Sequence, residues 1–147
     1  MRAFLLTLSL STIPLVSIGA VSGDWTYSFP SGEAIVSRYS GPGGVVTVPS
    51  QLGGYPVRKV GGGVDSIFVS NTNSVVSIVI PNTVTSIEDY AFYGCLSLNS
   101  ATIPNSVTNI GACAFAKQGV GISDNMELSS IIIPDSVIKI GQKAFSG

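Results

Sequence analysis

The 147-residue sequence contains no histidine, and only 10% of its residues are charged. Without imidazole there is no Ser-His-Asp triad, no cysteine nucleophile with its usual base, and no histidine metal site. Seven Lys and Arg against eight Asp and Glu leave a net charge of −1, and neither sign forms a run. That argues against nucleic acid or an anionic membrane surface as a partner, because both demand clustered cations. Glycine-rich stretches exist at Gly41-Pro42-Gly43-Gly44 and Gly61-Gly62-Gly63, but neither is followed by Lys-Ser/Thr or opens a helical pattern. They read as loops, not phosphate cradles.

What the sequence does have is a repeated phrase. Ile80-Pro81-Asn82-Thr83-Val84, Ile103-Pro104-Asn105-Ser106-Val107 and Ile133-Pro134-Asp135-Ser136-Val137 recur with 23 and then 30 residues between prolines. A motif returning at such a period marks a stacked solenoid, an architecture that binds partners far more often than it catalyses. The seven extra residues of the second interval fall within Ala116 to Glu127, whose Gly119, Gly121, Ser123, Asp124 and Asn125 have the composition of a surface loop.

Each proline is preceded by a short alternating run. Period-2 alternation turns Ile78/Ile80, Ala101/Ile103 and Ile131/Ile133 inward. It leaves Ser77, Ser100 and Ser130 in one outward row and Val79, Thr102 and Ile132 in the next, a candidate binding face for a protein or glycan. The same composition also suits strand formation alone. Thr85/Ser86, Thr108/Asn109 and Ile138/Lys139 make a second candidate surface. Proline has no amide donor and ends the ladder, and the Asn-Thr, Asn-Ser and Asp-Ser pairs after it favour a turn. Val84/Ile87, Val107/Ile110 and Val137/Ile140 follow, then Ala91-Phe92, Ala114-Phe115 and Ala144-Phe145. A tight corner or one helical turn would stack Phe92, Phe115 and Phe145 as an inward spine.

A degenerate first unit lies upstream, with Val45 to Pro49 as strand plus proline, Val57 to Val60 as a second strand and Ile67-Phe68 in place of Ala-Phe. Before it, Trp25 to Phe29 and Ala34 to Tyr39 read as a hairpin joined by Pro30 to Glu33, suited to cap the first coil. The expected architecture is a mainly-β, right-handed repeat solenoid of about four 23-residue units, near 45–74, 75–97, 98–127 and 128–147, with a hairpin cap over 24–44. Gly147 aligns with Gly94, so the last unit is expected to be incomplete, uncapped and part of a longer chain.

Residues 1–23 have the layout of a secretory signal peptide: Arg2, an apolar stretch from Ala3 to about Ile18, and small residues before Asp24. Cleavage is expected after Ser22, with Ala20 at −3, or after Gly23, with Val21 at −3. An uncleaved anchor is the competing reading, since the span is nearly long enough to cross a bilayer. The membrane then enters only through export or an anchor absent from the sequence. In an exported chain Cys95 and Cys113 either form a disulfide or remain two small buried thiols. The adjacent acids Glu88 and Asp89, and the loop group Asp124, Asn125 and Glu127, read as exposed corners, not as an acid–base pair or a calcium loop.

The Ile-Pro-x-Ser/Thr-Val-x-x-Ile-x-x-x-Ala-Phe pattern, with Gly94-Cys95-x-x-Leu98 in one coil, resembles the BspA-type leucine-rich repeat of bacterial surface proteins and some eukaryotic parasites. Asp24-Trp25-Thr26-Tyr27 and Gly53 to Val57 resemble the usual opening of bacterial members. The resemblance covers the chain from Asp24 to Gly147 and implies a secreted or cell-surface binding module, adhesin-like, without catalytic activity or cofactor. The alternative is a targeting or spacer module of a larger secreted enzyme.

Overall fold

A computed structural model describes residues 19–63, 65–68, 74–117, 128 and 130–146. Every coil is shaped by its proline. Strands β4 (Gly44–Thr47), β7 (Val75–Val79), β9 (Ser100–Thr102) and β11 (Ser130–Ile132) run up to the prolines and pair in parallel, in the order β4-β7-β9-β11. Immediately after the last three prolines, Val84, Val107 and Val137 donate back to the carbonyls of Pro81, Pro104 and Pro134 at 3.1 Å each, so the chain turns. The Ser/Thr of the repeated phrase has its reason here. Thr83, Ser106 and Ser136 donate their hydroxyls to the carbonyls of Ser50, Val84 and Val107, tying each corner to the coil before it where the strand ladder has stopped.

After the corner come β6 (Tyr55–Val60), β8 (Ser86–Ile87), β10 (Asn109–Ile110) and β12 (Lys139–Ile140), which form the second parallel ladder. This sheet continues through the cap: β3 (Ala34–Tyr39) pairs in parallel with β6, β2 (Trp25–Ser28) is antiparallel to β3, and β1 (Ala20–Ser22) is antiparallel to β2. The expected cap hairpin is thus β2–β3, and β1 adds an outer strand. A short β5 (Gln51–Leu52) folds onto β6 through the first unit's longer corner. No helix occurs among the described residues; of the two kinds of corner expected, all are turns.

The core lies between the ladders. Val46, Ile78 and Ala101 stack in register and are buried, as are Val60, Ile87 and Ile110 in the opposite sheet. One aromatic per coil fills the space beside them. Ring centroids run from Phe68 to Phe92 at 6.0 Å, Phe92 to Phe115 at 4.9 Å and Phe115 to Phe145 at 5.3 Å. The cap prolongs the column through Tyr39, 5.5 Å from Phe68, and Trp25, 4.5 Å from Tyr39. A single coil has no means of hiding such a ring, so stacking and folding are one event.

The turn before each Ala-Phe is strained in the same way in three coils. Tyr90, Cys113 and Lys143 have φ of 58°, 52° and 57°, left-handed values that non-glycine residues adopt at a cost of roughly 1 to 2 kcal/mol. Tyr90 and Cys113 are also tied to the next coil, donating to the carbonyls of Ala112 and Gln142.

Candidate interaction surface

The β4-β7-β9-β11 sheet turns one face to solvent, and alternation fixes which residues stand on it. Val45, Ser77, Ser100 and Ser130 are cross-strand partners in one row; Thr47, Val79, Thr102 and Ile132 form the next. The six positions read from alternation therefore come together as two continuous rows, and β4 lengthens each by one. The β4 positions were readable by the same rule, since buried Val46 and Val48 leave Val45 and Thr47 outside.

None of the four strands carries a charged residue. The Ser100 hydroxyl donates to Ser77 Oγ at 2.8 Å, which links two strands. Val45 is 72% exposed and Ile132 78%, placing an apolar side chain near each end of the face. A shallow groove of about 310 Å³ opens at Ser100 to Ile103, Ser130 and Ile132. Small hydroxyls and β-branched side chains on a flat, uncharged sheet can bury against a partner with little desolvation cost. Charged side chains are likewise depleted at the cores of protein interfaces.

The opposite sheet has a different character. Lys59, Ser86, Asn109 and Lys139 align across β6, β8, β10 and β12, with Asn109 Nδ2 donating to Ser86 Oγ at 2.9 Å. Arg58 reaches Glu33 at 3.8 Å and donates to the Thr83 carbonyl, and Lys59 lies 3.7 Å from Glu88. Of the second candidate surface, Thr85, Thr108 and Asn109 are tied by side-chain hydrogen bonds to the neighbouring coil, and Lys139 is its one charged member.

Glu88 and Asp89 are adjacent but look to different partners. Glu88 faces Lys59, whereas Asp89 Oδ1 accepts a hydrogen bond from the Ala112 amide at 2.6 Å, tying two coils. Among the described residues no three His, Cys, Asp or Glu side chains group as metal ligands. The acids Asp124 and Glu127 with Asn125 lie outside the described residues. At the glycine loops, Gly43 lies close against the Ser74 backbone and Gly61 against Ala91, close approaches between coils in which a Cβ would be crowded.

The candidate Cys95–Cys113 disulfide is not formed: both are free thiols. The two sulfurs look opposite ways along the stack, Cys95 Sγ toward Ser66 Oγ of the preceding unit at 3.8 Å and Cys113 Sγ toward the Gln142 carbonyl of the following one at 3.9 Å. Ser66 is a buried polar residue the sequence reading passed over. Its hydroxyl donates to the Ala91 carbonyl and accepts from the Phe68 amide, stitching the first unit to the second. Burial pushes the Cys95 thiol up to about 12, against a small opposing effect of the Ser66 contact, so it stays a protonated core residue at neutral pH. No helix among the described residues is long and apolar enough to cross a membrane.

Comparison with known proteins returns the architecture. The family described as BspA type leucine rich repeat region (6 copies) matches residues 64–147. A leucine rich cell surface protein of Faecalibacterium prausnitzii is 30% identical with a TM-score of 0.64, over 87% of this chain and 34% of its own. A leucine-rich repeat protein of Bacteroides ovatus is 32% identical with a TM-score of 0.69, over 87% and 33%. The chain thus spans about a third of the length of these two proteins. A leucine-rich repeat protein of Bacteroides capillosus, 23% identical over 86% of this chain and 89% of its own, shares the fold with a TM-score of 0.67. No curated protein sequence matches.

Proposed function

The chain belongs to the BspA-type leucine-rich repeat family, and we propose that it acts outside the cell as a non-catalytic, adhesin-like binding module whose β4-β7-β9-β11 face meets a protein. One observation carries this reading: the outward rows of that sheet hold no charge across four strands, while the other sheet presents Arg58, Lys59 and Lys139, the first two ion-paired to Glu33 and Glu88. Charged residues are depleted at the cores of protein interfaces. A glycan would be better met by aromatic rings and amides, and none stands on these rows. Export is supported by the layout of residues 1–23 and by the cell-surface description of the F. prausnitzii protein.

The test pairs secretion with face-specific substitution. The full chain expressed with its own N-terminus in a bacterial host should reach the exterior. The purified product is then titrated against immobilised extracellular proteins and a glycan array. Thr102→Lys and Ser130→Lys should weaken protein binding by about tenfold or more, the scale of a hot spot. Lys139→Glu on the other sheet should leave it unchanged. Equal loss from both faces, or binding confined to glycans, would overturn the assignment of the face or the partner.

A further inference from the structure

We infer that the export signal is removed between Gly19 and Ala20, three or four residues earlier than the small-residue pattern alone indicates, so that the mature chain keeps β1. The inference rests on the reading of this chain as exported. It follows from what residues 20–28 do in the fold.

Ala20, Val21 and Ser22 pair antiparallel with Tyr27, Thr26 and Trp25 in unbroken register. Ser22 opposite Trp25 leaves Gly23-Asp24 as a two-residue hairpin loop, and Gly23 has φ of 59°, the left-handed value such loops require at their first position. Asp24 is anchored in the cap, because its carbonyl accepts from the Ser40 amide at 2.9 Å and the Ser40 hydroxyl at 3.3 Å. Ala20 packs against the cap core, and Gly19 lies against Thr26, where a Cβ would come within 3.4 Å of the methyl group.

Cleavage after Ser22 or Gly23 would remove this strand. The edge of β2 would then be left with bare amide and carbonyl groups beside half-buried Trp25, the arrangement that invites edge-to-edge pairing. With β1 kept, the sheet ends in a strand of only three residues, one of the ways proteins blunt an edge. The sequence permits the earlier cut. Signal peptidases hydrolyse the amide after a small residue at −1 with another at −3, and here these are Gly19 and Ser17. Water adds across the Gly19–Ala20 amide, leaving a carboxylate on the released leader and an α-amino group on Ala20. That new ammonium stands at the start of β1, on half-buried Ala20.

Intact-mass measurement and N-terminal sequencing of the exported product of the full 147-residue chain decide the matter. The expected N-terminus is Ala20. An exported product beginning at Gly23 or Asp24 would overturn the inference while leaving export standing. A product retaining Met1 inside the cell would overturn the export reading itself. Gly19→Tyr gives an independent check: it places a bulky ring at −1 and should block processing, whereas for a cut after Ser22 or Gly23 it lies outside both key positions and should change nothing. As a fold-level readout, a chain starting at Ala20 should melt higher and self-associate less than one starting at Asp24. Identical behaviour would remove the reason for keeping β1.

Discussion

Truncating Phe115 tests the packing logic of the whole stack. The ring is 1% exposed and lies between Phe92 at 4.9 Å and Phe145 at 5.3 Å. Removing it forfeits the transfer free energy of a fully buried aromatic, roughly 1.5 to 3 kcal/mol. It also breaks two ring pairs worth about 0.5 to 1.5 kcal/mol each beyond area. The neighbouring rings belong to coils pinned by both ladders and have little freedom to collapse into the space. Phe115→Ala should therefore cost about 3 to 5 kcal/mol, in line with buried Phe→Ala changes generally. For a chain of this size that lowers Tm by roughly 10 to 20 °C. Phe145→Ala is the internal control, since that ring is half-buried and has a ring neighbour on one side among the described residues; it should cost about half as much. Thermal unfolding followed by circular dichroism reads both. Equal costs for the two, or an unchanged Tm for Phe115→Ala, would refute a continuous aromatic column as the carrier of inter-coil stability.

Gly111→Ala should destabilise by roughly 1 to 3 kcal/mol, because its Cβ would meet the Asp89 amide nitrogen at 2.4 Å and the Glu88 carbonyl carbon at 2.5 Å; an unaffected urea midpoint would show that the coils are less tightly apposed. Cys95 holds its proton in the folded state up to about 12 against an ordinary 9.0, so its contribution to stability is complete below about pH 9 and is lost as pH rises toward 12. The slope reaches at most about 1.4 kcal/mol per pH unit, and Cys95→Ala should flatten it in denaturant titrations at successive pH values. With a thiol reagent at pH 8 the native protein should label at half-buried Cys113 and at Cys95 only after denaturation; rapid modification of both would contradict the burial. Finally, Ile133 is 40% and Ile140 50% exposed where their counterparts Ile103 and Ile110 are 8% and 0%. The purified chain should self-associate in sedimentation runs as concentration rises, and Ile140→Lys should suppress this. Monomeric behaviour throughout would show that this end is already satisfied.

How much of this was legible in the sequence depended on how local the cause was. The proline corner was readable because a missing amide and a turn-forming pair act within four residues. The spine was readable because one Phe per coil, at a fixed offset, has nowhere to go but onto its counterpart. Phe68 was recoverable from the Ile67-Phe68 pair standing where Ala-Phe recurs, although the spacing had changed: it follows Val60 by 8 residues, and Phe92 follows Ile87 by 5. The second sheet was only half readable: β8, β10 and β12 are two residues long, too short for any period, and exist because β6 presents a ladder for them to extend. The left-handed turns at Tyr90, Cys113 and Lys143 were invisible, because the residue types do not ask for that conformation. β1 was hidden for a different reason. Ala20-Val21-Ser22 satisfies a peptidase pattern and a strand equally well, and the strand shows only in its pairing with β2.

The same division separates what the repeats do from what the surface does. Inward positions are set by stacking and so repeat: Ile87 and Ile110 are interchangeable, as are Phe92 and Phe115. Outward positions are less constrained by stacking and vary along the coil series, Thr85, Thr108 and Ile138 in one row and Thr47, Val79, Thr102 and Ile132 in another. Ile138 is 86% exposed and Ile132 78%. Ile132 stands beside Thr102 on the outward row, and Ile138 follows Val137 just past the turn. They flank the Pro134 corner, and Ile132 borders the groove at Ser100 and Ser130. Under the interaction reading, Ile132 is the apolar anchor of the uncharged face, and its replacement by Thr, the residue that Thr102 already supplies one coil earlier, should weaken partner binding while leaving Tm within about 2 °C, as surface changes do. A large fall in Tm for Ile132→Thr would mean that the side chain is held by the fold itself, and the face would lose its anchor.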